Sequence, residues 1–212
     1  AALEELARSY WRPIRAYVRA RWARTPHDAD DGVQGFFAWM LDSEFLDRAT
    51  PDRGRFRGYV KSALEHFLTD VERKRVALKR GGGQVFVPVG PADDGTPALE
   101  VADPAGRSPE DVLDDAWRAE LLERAAERLE RELTEKGKAT VFAVFRDYFL
   151  DESDLDYAGL AERHGIAPTN VSNVLALAKK RYRWHLRSAV METVKDSEGL
   201  ALELRWLLGE DA

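Results

Sequence analysis

Apolar residues recur at helical intervals along most of the chain, which predicts an all-α protein. Residues 3–24 form the first amphipathic stretch, with Leu3, Leu6, Tyr10, Ile14, Tyr17, Val18 and Trp22 inward and Pro13 as a candidate break or kink. Residues 28–41 form the next, with Asp28 as a candidate cap and Val33, Phe37, Met40 and Leu41 inward. After a polar stretch containing Asp52, Arg53 and Gly54, residues 55–79 place Phe56, Tyr59, Val60, Ala63, Leu64, Phe67, Leu68 and Val71 at helical spacing, closed by Gly81, Gly82 and Gly83. Residues 84–109 are rich in Pro, Gly and Asp and read as a flexible linker, in which Val85, Phe86, Val87 and Val89 alternate weakly as a strip able to dock. Helical pattern resumes at Pro109 or Glu110, with Ser108 as cap, and runs through Trp117, Leu121, Leu122, Ala125 and Leu129. A further helix is expected over 138–149. A last amphipathic segment, 200–208, has Leu202, Leu204, Trp206, Leu207 and Leu208 to bury. The predicted architecture is two small helical domains, 1–83 and 110–190, joined by the linker 84–109, with a C-terminal helical extension over 191–212.

Residues 157–187 carry the pattern of a helix-turn-helix. A short helix buries Leu160 and Ala161, Gly165 supplies the positive φ needed to leave it, and Ile166 fills the corner. A second helix starts near Pro168 and Thr169, with Val171, Val174, Leu175 and Ala178 on one face. The opposite face presents Asn170, Ser172, Asn173 and Ala176, side chains short enough to approach base edges in a major groove. No acidic residue occurs from Arg163 to Met191, and Lys179, Lys180, Arg181, Arg183 and Arg187 are candidate phosphate contacts. The same pattern also fits a helical hairpin with a solvated basic face.

Composition narrows the classes. The chain has 212 residues, 44% of them hydrophobic and 33% charged, with six tryptophans and no cysteine. Disulfides, thiolate metal sites and thiol nucleophiles are therefore excluded. No apolar run reaches membrane-spanning length and no signal peptide opens the chain, so a cytoplasmic protein with no membrane partner is expected. The four histidines are scattered, with no His-x-x-x-His and no glycine-rich phosphate loop, so neither an enzyme, a metal site nor a cofactor is expected. The net charge of −6 argues against whole-surface DNA binding, but the charge is unevenly spread. Arg53 to Gly83 holds nine Lys/Arg against Glu65, Asp70 and Glu72, whereas Pro91 to Glu135 holds fourteen Asp/Glu against five Arg. Two basic zones separated by an acidic one point to two DNA-facing modules and a connector.

Two segments of the first module carry further chemistry. In Asp28-Ala29-Asp30-Asp31-Gly32-Val33-Gln34-Gly35-Phe36-Phe37, the residues Asp30, Asp31 and Gln34 project from one side of a helix, suited to a basic protein surface or to the helix dipole alone. In Phe56-Arg57-Gly58-Tyr59-Val60, followed by His66, Asp70, Arg73, Lys74 and Arg75, aromatics interleave with cations, as single-stranded DNA binding favours. Phe56, Tyr59 and Phe67 also fall at core spacing, and His66 reads first as a hydrogen-bonding residue within the fold and second as a group facing DNA.

With the segment 157–187, these two stretches in this order resemble bacterial RNA polymerase sigma factors of the extracytoplasmic-function (ECF) group, in a subgroup with a short C-terminal extension. The resemblance covers most of the chain, and it is the ordered trio rather than any one motif that carries it. It implies a sigma-2-like domain over 1–83 and a sigma-4-like domain over 110–190. Asp28, Asp30, Asp31 and Gln34 would bind the clamp helices of the polymerase beta-prime subunit. Arg57, Tyr59, Lys61, His66, Arg73, Lys74 and Arg75 would serve the minus-ten element. Thr169, Asn170, Ser172, Asn173, Ala176, Lys180 and Arg181 would serve the minus-thirty-five element, with the second module docked by the beta flap. Implied partners are core RNA polymerase and promoter DNA, with an anti-sigma factor or a Ser/Thr kinase as candidate regulators.

The chain departs from the family pattern at Gly32 and Gly35, where members carry a large apolar residue and a Glu, and at Leu177, where many place a basic residue. A glycine costs an exposed helical position about 1 kcal/mol relative to alanine, so the second helix is expected to be weak. Two other readings stay open: a helix-turn-helix regulator that does not engage polymerase, and a regulatory adaptor that binds partners through its tail and acidic linker. Thr25, before the acidic helix and beside Pro26, is a candidate for phosphorylation that would add charge at the helix start, or an ordinary loop threonine.

Overall fold

A computed structural model describes residues 2–22, 25–42, 56–81, 106–151, 153–194 and 196–209. Asp52, Arg53, Gly54, the strip Val85–Val89 and the linker up to residue 105 lie outside the described residues, as do the side chains of Leu3, Leu6 and Phe56. Among the described residues every regular element is a helix, so the all-α expectation holds. The helices are α1 (Ala2–Arg21), α2 (Pro26–Asp42), α3 (Phe56–Gly81), α4 (Pro109–Glu135), α5 (Ala139–Phe149), α6 (Tyr157–His164), α7 (Pro168–Met191) and α8 (Ser197–Leu208). The chain divides into two compact units, Ala1–Glu120 and Leu121–Ala212. The first turns of α4 thus pack with the first unit, whereas the sequence pattern opened the second module at residue 110.

In the first unit, buried positions follow the helical period: Tyr10, Ile14, Tyr17 and Val18 on α1, Ala29, Val33, Phe36 and Met40 on α2, and Val60, Leu64 and Leu68 on α3. Helix α1 runs on through Pro13 rather than stopping there. Trp117 of α4 stacks on Tyr10 with ring centroids 4.2 Å apart, and Phe36 meets Phe67 edge-on at 5.7 Å. The start of α2 is closed by Thr25, not Asp28. The Asp28 backbone N–H donates to Thr25 Oγ1 at 3.1 Å, and the Asp28 carboxylate accepts from the Thr25 backbone N–H at 2.9 Å. This is a reciprocal capping box with the acid on its inner side. Ser108 and Asp111 repeat it at the start of α4. Leu41, expected inward, is 60% exposed one turn beyond the last buried ring of α2.

The two glycines of α2 are contact points and not weak links. Gly32 is buried, and a Cβ there would lie 2.8 Å from Val18 Cγ1. At Gly35 a Cβ would lie 3.2 Å from Phe67 Cζ. The absence of side chains lets α1 and the Phe67 ring of α3 approach the α2 backbone.

In the second unit, Leu129 and Leu133 of α4 pack with Phe142 and Phe145 of α5 and Ala178 of α7. A second cluster joins Val144 to Leu160, Ala161, Val171 and Leu175. Helix α8 packs on α7, but its inward face is Leu200, Glu203 and Leu207. Leu202 and Leu208, expected to be buried, are exposed, because the spacing 200, 203, 207 selects a different stripe from the leucine count.

Gly32→Ala should destabilise the first unit by about 1–2 kcal/mol in urea unfolding, because the stiff, buried Val18 cannot yield and overpacking outweighs the gain in helix propensity. Gly35→Ala, which meets only the tip of a ring, should change stability by less than about 0.5 kcal/mol.

Candidate nucleic-acid and partner interfaces

The connection between α6 and α7 is built from local signals. The Asp156 carboxylate accepts from the Gly159 backbone N–H at 2.8 Å and caps α6. Gly165 ends it at φ 63°, with its N–H directed to the carbonyls of Ala161 and Glu162. Ile166 packs partly buried against the Val144–Leu160–Val171 cluster, and Pro168 opens α7 in its first turn. Asp147 of α5 braces the joint from inside. Its carboxylate accepts from Arg163 at 2.9 Å and lies 2.9 Å from His164 Nε2. Burial pushes this carboxyl group up, but the bonds from Arg163 and His164 outweigh it and hold the group below the usual range.

Along α7, Thr169, Asn173, Ala176, Lys180, Arg183 and Arg187 succeed one another at alternating intervals of four and three residues, and all are exposed. They form one stripe: short polar and methyl groups at the N-terminal end, cations toward the C-terminal end. Asn170 and Ser172 flank it and are also exposed. Of the residues expected at a minus-thirty-five element, Arg181 stands apart. It donates from Nε and Nη2 to Glu132 at 3.0 and 2.8 Å and lies over the Trp184 ring. Glu132 also takes Lys136 and lies 2.7 Å from His185 Nε2. The Arg181 hydrogen bonds, joined by those from Lys136 and His185, outweigh desolvation and hold the Glu132 carboxyl at about 2.

The expected polymerase-facing residues divide in the same way. Asp31 and Gln34 are exposed on α2, Asp31 with His27 at 3.2 Å. Asp30 pairs with Arg15 of α1, whose hydrogen bond lowers its pKa, and Asp28 serves the capping box. On α3, Arg57 is buried and bonded to Asp114, which also accepts from Lys61 at 2.6 Å. Tyr59 and Arg75 are half-buried, whereas His66, Arg73 and Lys74 are exposed. Sequence reasoning missed Asp114 and Glu132 as organising acids. Both lie in the acidic block read as a connector, and only their unusual placement near apolar positions of α4 signalled an internal role.

Among the described residues no helix is long and apolar enough to cross a membrane, and no cluster of His, Asp and Glu fits a metal ion. No family model matches the chain, and no curated protein or solved structure matches it.

The Glu132 hub gives a pH signature. Its folded pKa lies below the ordinary 4.5, so its stabilisation is present above that value and is lost as pH falls toward about 2. Denaturant midpoints of wild type should fall across that window, and Glu132→Gln should flatten the acid limb while lowering stability at neutral pH.

Proposed function

We propose that this chain is an RNA polymerase sigma factor of the ECF type, a cytoplasmic DNA-binding protein and not an enzyme. The observation that carries the reading is the exposed stripe on α7, with base-reading groups at the helix start and cations behind them. A major groove admits such a helix end-on, and asparagine is suited to the N6/N7 edge of adenine. Lys180, Arg183 and Arg187 then reach flanking phosphates, which position the helix without reading sequence. In this reading α6, its turn and α7 form the minus-thirty-five helix-turn-helix. Asp31 and Gln34, free of the packing that engages Asp28 and Asp30, form the centre of the contact with the polymerase clamp helices. His66, Arg73 and Lys74 supply the exposed part of the minus-ten surface.

A second reading, a helix-turn-helix regulator independent of polymerase, is favoured by one observation. Arg57 and Lys61, expected on DNA, are engaged by Asp114 within the first unit. One experiment separates the two. Labelled full-length chain is titrated with core RNA polymerase, as wild type and as Asp31→Arg with Gln34→Ala. The sigma reading expects binding by wild type and a loss of about tenfold or more, 1.4 kcal/mol or above, in the variant. Wild type that ignores polymerase yet binds duplex DNA would leave the independent regulator standing. In either case, Asn173→Ala should weaken duplex binding by about 1–3 kcal/mol at the preferred sequence and relax the preference at one base pair.

A further inference from the structure

The acid that engages Arg57 and Lys61 is unusual in its company. Those two cations sit one helical turn apart on α3, and a single carboxylate takes both, one oxygen each. The segment bearing it, residues 106–120, has five acids (Glu110, Asp111, Asp114, Asp115 and Glu120) against Arg107 and Arg118. It is seated on the first unit by the Trp117–Tyr10 stack, by buried Leu113, by Tyr17 donating to Glu110 at 3.4 Å and by Arg12 at 3.7 Å from Glu120. Farther along α3, Arg73 and Lys74 are exposed. One end of the basic helix is therefore covered by acid and the other end is open.

A backbone phosphate offers what Asp114 offers: one negative charge over two oxygens, able to accept from two cations at once. We propose that residues 106–120 are an internal competitor for nucleic acid, with Asp114 occupying the place of a phosphate on Arg57 and Lys61. This rests on the DNA-binding reading above and adds to it a covered state of the first unit. In that state the near end of α3 does not engage single-stranded DNA, and uncovering it adds two phosphate contacts. A purely structural ion pair would share the geometry but would not change the number of phosphates bound.

The test counts phosphates. The full chain is titrated with fluorescein-labelled single-stranded DNA of mixed sequence over a range of salt concentrations, as wild type, as Asp114→Asn, and as Asp114→Asn with Arg57→Gln and Lys61→Gln. Asp114→Asn should bind more tightly and steepen the slope of log affinity against log salt by about 1.4, two phosphates at about 0.7 each. The triple variant should return to the wild-type slope. An unchanged slope in folded Asp114→Asn overturns the proposal.

Should that variant not fold, a tether gives the answer. The chain has no cysteine, so Arg12→Cys with Glu120→Cys can be joined by a bismaleimide. The tethered protein should bind the single strand several-fold more weakly than the same protein unlinked, and duplex DNA equally. Equal single-strand affinity with and without the tether overturns the proposal. Duplex binding that depends on Asn173 and Lys180 is measured beside each arm. If it is intact while the single-strand arm fails, only the competitor idea falls. If it is absent even with core RNA polymerase present, the DNA reading falls and the competitor with it.

Discussion

Taking a carboxylate out of water costs about several kcal/mol unless cations and donors replace its hydration. Among the described residues Asp114, Glu132 and Asp147 are largely shielded from water and meet that constraint by sharing two or more cations, and the exposed Glu192 is held in the same way. Asp114 takes Arg57 and Lys61, Glu132 takes Arg181, Lys136 and His185, Asp147 takes Arg163 and His164, and Glu192 takes Arg124 and Arg128. Each acid bridges at least two helices. Interdigitated apolar packing sets how these helices meet, and a carboxylate that reaches two particular cations adds a directional constraint to the same register. Replacing such a cluster with apolar residues need not lower stability, but removing one member leaves the others stranded.

These clusters also sort the cations. Arg181 sits in the basic run of α7 and looks like its neighbours in sequence, yet Glu132 holds it on the inner side. Lys180, one residue before, points to solvent, and so do Arg183 and Arg187. What remains for a polyanion on α7 is one stripe, with exposed Lys179 beside it over the Phe149 ring, and not a basic cylinder. A narrow stripe orients a helix in a groove, whereas a uniform cationic surface would hold DNA in any rotation.

Local signals made the α6–α7 connection legible. Gly165 and Pro168 each act within four residues of their own position, so their roles need no knowledge of the fold. Periodicity likewise located the buried faces of α1 and α3, whereas on α2 it found Val33 and Met40 but set Leu41 inward in place of Phe36. What escaped depends on distant partners. Gly32 reads as a helix weakener until Val18 is seen against it, and the engagement of Arg57 by Asp114, 57 residues later, cannot be read along the chain. Helix α8 was misphased because Glu203 faces inward, and a stripe containing a charge is discarded when apolar residues alone are counted. Asp28 reads as the cap of α2 along the chain, but Thr25 and Asp28 act together as one box.

The acidic block is where those omissions meet. Read along the chain, it separates two basic zones and has no task beyond spacing them. In space it contributes Asp114 to one zone and Glu132 to the other, so part of the chain's net charge of −6 is spent inside the units, against cations that sequence alone offers to DNA. Each cation so engaged removes one unit of salt-dependent, sequence-blind attraction. Such contacts count equally at every site, whereas base contacts add about 1–3 kcal/mol apiece only at a preferred one, so a chain whose cations are engaged internally would rest any DNA binding more on base contacts. In the proposed DNA-reading role, affinity given up in this way would have to come from a second contact, for which Asp31 and Gln34 stay exposed on α2.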